Sequence, residues 1–146
     1  MKQTASTGRS TVWPCLMVAD IGEEMEFLGA VFGAEVRQHQ HDAAGSAWQV
    51  EARWGTTPLL IGRTDKAGMP PGGMLYVWTE SVEATLARAM AHGATLLSAP
   101  ADQPSGVREA GFRDPQGITW WIGQQSRKPS SREVERRLAD QRKSRL

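Results

Sequence analysis

Hydrophobic and polar positions along this chain change period in a fixed order, and the order occurs twice. The run "TVWPCLMV" at residues 11–18 is rich in strand-forming residues and reads as a strand. After it, Ile21, Met25, Leu28 and Phe32 recur at helical spacing, with Asp20 placed to cap the helix, Glu23 three residues on, and Gly33 as its stop. Three strand-like runs follow: Val36 to Gln40, Ala47 to Trp54 after the turn "DAAG", and Pro58 to Ile61 after "GTT". A Gly/Pro-rich connector occupies residues 63–73. Then the order repeats, with strand "MLYVWT", helix "SVEATLARAMAHG", and strands "ATLLSA", "GVREAGFRD" and "ITWWIG". Val82, Leu86 and Met90 share one face of that second helix, and Gly93 ends it. The predicted fold class is α+β, built from two βαβββ modules at residues 12–62 and 74–123.

Successive strand residues point to opposite faces. In "ITWWIG" this separates two adjacent tryptophans: Ile118, Trp120 and Ile122 are expected to pack against a helix, while Thr119 and Trp121 look the other way. On the first strand Leu16 and Val18 go to the core, leaving Trp13, Cys15 and Met17 on the opposite face. Likewise Leu75 and Val77 go inside, opposite Met74, Tyr76 and Trp78. With Phe112 taken as core, Glu109, Gly111 and Arg113 share the second face.

Composition adds three constraints. A chain of 146 residues with 40% hydrophobic and 23% charged residues is one ordinary soluble domain, expected over residues 12–125. The stretch 1–11 is polar, with no apolar segment of the kind a signal peptide or membrane anchor needs, and reads as a flexible arm. One cysteine, Cys15, allows no internal disulfide and fits a reducing cytoplasm. The net charge of +1 is unevenly spread: residues 127–146 hold eight Lys/Arg against three Asp/Glu. The basic tail 126–146, with Val134 and Leu138 four apart, has the pattern of a short helix. Its basic residues are interleaved with acidic ones and the body is acidic, so nucleic acid is not an expected partner. Six tryptophans against one tyrosine and three phenylalanines leave flat apolar side chains in excess.

Three segments, "FLGAVFGAEV", "AMAHGATLLSAP" and "GVREAGFRDPQGITWWI", resemble the glyoxalase, bleomycin-resistance and extradiol-dioxygenase superfamily, the vicinal oxygen chelate proteins. The resemblance runs from Val12 to Gly123. It implies that each module curls an antiparallel sheet into half of a cup, that ligands bind in the cup, and that the chain forms a homodimer. Metal-using members place His or Gln on the first strand of each module and Glu on the last strand. Carried onto this sequence, those places fall on Trp13, Met74, Trp121 and one residue among Leu59, Leu60 and Ile61. None of these side chains is a hard-metal ligand, so neither a metal nor another cofactor is expected.

Other chemistry-bearing residues also have plain structural roles. His39 and His41, with Glu35 or Glu51, can make a carboxylate-imidazole set, but "RQHQHD" reads as a solvated hairpin rim. His92 lies at a helix end, where an imidazolium suits the dipole. Cys15 has no base on its face and reads as a small buried thiol. Of Arg108, Glu109 and Arg113, the last two face the cup and can orient a polar group of a ligand, or form a structural ion pair. The expected ligand-binding residues are Trp13, Cys15, Met74, Tyr76, Trp78, Trp121, Arg113 and Glu109. Together they fit a metal-independent binding protein that holds a hydrophobic or aromatic small molecule, an antibiotic being one such compound. Two alternatives stay open: a lyase, isomerase or dioxygenase of the same superfamily using Glu51, Glu109 or His41, and a collapsed cup filled by its own tryptophans.

Overall fold

Asp20 follows the first strand by two residues and starts a helix. Its backbone is extended (φ −128°, ψ 107°) and its carboxylate accepts the Glu23 N–H at 2.9 Å, satisfying a donor that a helix start leaves open. The helix α1 therefore runs Ile21–Phe32 and stops at Gly33, whose φ of 71° suits a residue without a side chain. Ser81 repeats the device, accepting the Ala84 N–H at the start of α3, Val82–Ala91. The computed structural model describes residues 12–67, 72–125 and 131–145. The arm expected at 1–11, part of the connector, and the first residues of the tail lie outside them.

The strands are β1 (Cys15–Val18), β2 (Glu35–His41), β3 (Ala47–Trp54), β4 (Thr57–Arg63), β5 (Met74–Trp78), β6 (Thr95–Asp102), β7 (Val107–Arg113) and β8 (Thr119–Gln125). A one-turn helix α2 (Thr64–Ala67) follows β4, inside the expected connector, and α4 (Ser131–Ser144) forms the tail. The strands make two four-stranded sheets, ordered β1-β4-β3-β2 and β5-β8-β7-β6. Each is antiparallel except at one edge, where β1 joins β4, and β5 joins β8, in parallel. A strand that returns to its sheet after a helix and two hairpin turns arrives in that direction. The two sheets repeat one pattern: Cys15 pairs with Leu60 as Tyr76 pairs with Trp121. The chain divides into two compact units, the first ending at Gly73 and taking in the turn Asp114–Ile118, the second holding Met74–Arg113 and the chain from Thr119 onward.

In the first unit Leu16, Val18, Val50, Ala52, Leu59 and Ile61 are buried beneath Ile21, Phe27, Leu28 and Val31 of α1. One expectation changes here. The apolar stripe includes Glu24, fully buried, where Met25 was expected. The turn after β7 belongs to this unit: Asp114 accepts the N–H groups of Gln116 and Ile118, the Gln116 side-chain oxygen accepts the Asp20 N–H at 2.9 Å, and its amide donates to Glu23 at 2.8 Å. Ile118 is buried in that turn, one residue before β8 begins.

In the second unit Ala110, Phe112, Trp120 and Ile122 face α3. The helix presents Val82, Thr85 and Ala89 to them, and Met90, expected in that stripe, is 44% exposed. Large rings on the sheet leave room only for small side chains on the helix, so the long residues swing to its flank. The tail helix carries a half-buried Val134 and an exposed Leu138. An open recess of about 550 Å³ lies between α4 (Arg137, Asp140, Gln141, Ser144) and Asp102, Gln103 and Pro104. No described helix is long and apolar enough to cross a membrane.

Candidate functional site

Trp120 is fully buried and Trp121 is half-buried on the opposite side of β8. That second face is built row by row by strand pairing. Met74, Thr119 and Arg113 lie across one row; Tyr76, Trp121 and Gly111 across the next; Trp78, Gly123 and Glu109 across the third.

Two glycines shape the surface. A side chain at Gly111 would meet three atoms of the Trp121 indole, each at 3.2 Å, so the ring lies flat over bare backbone. At Gly123 a Cβ would collide with the Tyr76 hydroxyl oxygen, so the phenol crosses that position. It reaches Glu109 and donates to its carboxylate at 2.9 Å. Burial, and then the Glu109 carboxylate, push the Tyr76 phenol up to about 12, which keeps it a neutral donor. Trp78 meets the Tyr76 ring edge-on, with centroids 5.3 Å apart. Neither Gly111 nor Gly123 is among the expected ligand-binding residues. Their only one-dimensional signal is a glycine inside a strand, which marks a bulge or a close approach.

Of the eight expected site residues, Met74, Tyr76, Trp78, Glu109, Arg113 and Trp121 lie on this one face of the second unit. Trp13 and Cys15 belong to the first unit; Cys15 lies on the side of β1 away from Leu16 and Val18, and Trp13 is half-buried just before that strand. Cys15 is a correction: it is an exposed thiol, because its face of the edge strand carries no helix. Its sulfur contacts the Met17 sulfur at 3.8 Å, and partial desolvation raises its pKa, which holds it as the less nucleophilic thiol. Arg113 is exposed and has no hydrogen bond or ion pair among the described residues. Arg108 points to the other face, where it binds Glu83 and Asp102.

The remaining candidates occupy plain positions. His39 and His41 are exposed and stack with centroids 5.7 Å apart. His92 contacts the Arg88 carbonyl through its ring nitrogen at 2.8 Å. The parallel pairing of β1 with β4 puts Leu60 beside Cys15, whereas Leu59 and Ile61 are buried in the core. The places to which the resemblance assigns metal donors hold Trp13, Met74, Trp121 and one residue among Leu59, Leu60 and Ile61. Indole, aliphatic and thioether groups do not fit a hard divalent ion. No group of three or more His, Cys, Asp or Glu is arranged to hold a metal among the described residues.

The profile of the glyoxalase-like domain matches residues 13–122. The chain belongs to the glyoxalase-like domain family. Solved structures similar to this glyoxalase-like chain include TioX from Micromonospora sp. ML1, at 24% identity and a TM-score of 0.66, covering 80% of this chain and 99% of TioX. A gene product of Arabidopsis thaliana is similar at 20% identity and a TM-score of 0.66, over 80% of this chain and 99% of its own. A lactoylglutathione lyase from Agrobacterium tumefaciens follows at 19% identity and a TM-score of 0.60, over 81% and 96%. At these identities the likeness shows the glyoxalase/bleomycin-resistance fold. No functionally curated protein matches the chain.

Proposed function

We propose that this chain is a metal-independent binding protein that holds a hydrophobic or aromatic small molecule against the second face of its sheets. The observation that carries the reading is the exposure of a contiguous apolar set on β5: Met74 is 68%, Trp78 62% and Tyr76 45% exposed, beside the flat Trp121 indole. Side chains that merely filled a collapsed cup would be buried instead. Exposed apolar clusters on a folded domain mark interaction surfaces, and flat rings gain roughly 0.5–1.5 kcal/mol from a well-placed aromatic partner beyond area burial. The residues at the four ligand places support metal independence through their own chemistry. On the first unit's own face, Trp13 and Cys15 are the expected contacts. The assembly we propose is a cytoplasmic homodimer, consistent with the superfamily resemblance and with Leu96 and Leu97 exposed on the second unit.

Two measurements on one preparation test this. Protein purified without chelator is assayed for metal, and its tryptophan fluorescence is screened against aromatic antibiotics and other flat hydrophobic compounds. Saturable quenching without stoichiometric metal is the expected result. A transition metal that survives dialysis, with a turnover lost on chelation, would instead establish an enzyme with a non-standard site.

A further inference from the structure

We infer that the ligand of this face carries a protonated amine, seated between the Glu109 carboxylate and the rings of Tyr76, Trp78 and Trp121. The inference rests on the binding reading above and names the charge its ligand brings. Glu109 is half-buried and accepts one hydrogen bond, from Tyr76. Among the described residues it has no cationic partner. The neighbouring Arg108 is committed to Glu83 and Asp102 on the opposite face, and Arg113 lies four residues along the same strand, roughly 13 Å away at strand rise. An uncompensated carboxylate in partly desolvated surroundings favours a cation.

The rings around Glu109 favour the same charge. Tyr76 touches the carboxylate, Trp78 is its partner across Gly123, and Trp121 lies on the diagonal over Gly111. Aromatic faces carry negative potential and attract ammonium groups. Tyr76 donates to Glu109 and stays neutral, so it orients the acid without cancelling its charge. Arg113 makes the competing case for an acidic ligand, but pairing places Thr119 and Met74 beside it. An anion held there sits past the aromatic cluster.

The test uses three probes of one shape at pH 7, with calorimetric titration of the full chain: 2-naphthylmethylammonium, 2-naphthylmethanol and 2-naphthoate. The ammonium should bind about tenfold more tightly than the alcohol, and that gap should shrink as salt is raised. In Glu109→Gln the ratio should fall to near one; the amide oxygen still accepts from Tyr76, so the ring keeps its anchor. An ammonium that binds no better than the alcohol, or a gap that survives Glu109→Gln, would overturn the inference while leaving aromatic binding intact. So would a preference for naphthoate abolished by Arg113→Gln, which would give the charge selection to Arg113. If none of the three probes binds, both the inference and the binding reading fall.

Discussion

Glu24 offers the sharpest quantitative prediction. It sits on the buried face of α1 at 0% exposure, beside the Asp114 side chain. Burial first, and the nearby Asp114 carboxylate second, push its pKa up to about 9 from an ordinary 4.5. The acid is therefore protonated in the folded chain at pH 7 and ionised in the unfolded one, so folding takes up a proton. The sign follows: stability is fully present below pH 4.5, falls as pH rises, and stops falling near pH 9. At about 1.4 kcal/mol per pH unit, Glu24 costs about 3 kcal/mol at pH 7 and about 5 kcal/mol at pH 8.5. Glu24→Gln keeps the shape and removes the titration. Urea melts at pH 5, 7 and 8.5 should show the variant within about 1 kcal/mol of wild type at pH 5 and increasingly more stable above it. Parallel profiles for the two proteins, or a variant less stable than wild type at pH 8.5, would mean that Glu24 is ionised and paired in the fold, and the reasoning would fail.

The two adjacent tryptophans should separate cleanly: Trp120→Ala should lose about 3–5 kcal/mol of stability in denaturant melts. Trp121→Ala should keep most of its stability and weaken an aromatic ligand by on the order of 1–3 kcal/mol; exchanged outcomes would place the strand one residue out of register. Gly123→Ala should drive Tyr76 off Glu109. The chain has one tyrosine, so its absorbance titration reads this directly, and the midpoint should fall from about 12 toward 10. A chain ending at Gln125 should still fold but associate more weakly in sedimentation, and a full-length chain that is monomeric at micromolar concentration would remove the homodimer.

Local pattern determines much of this protein. Helix starts are written in Asp20 and Ser81, because a short polar side chain there reaches the third N–H of the helix without help from distant residues. Alternation in "ITWWIG" is equally local, since the pleat alone sends Trp120 and Trp121 to opposite sides, and the repeated strand and helix periods give the α+β class. Tertiary packing decided the rest. Met90 loses its place under α3 to Ala89 because Phe112 and Trp120 fill the space. Glu24 is buried by the turn that carries Asp114, a residue 90 positions away in the chain. Strand pairing, not residue type, selects Leu60 over Leu59 and Ile61 as the partner of Cys15. Most plainly, Glu109 acquires its aromatic surroundings only when Gly111 and Gly123 open the sheet to the rings of Trp121 and Tyr76. Periodicity along one strand tells which way a side chain points, but the groups it meets there are set by the register of its neighbours.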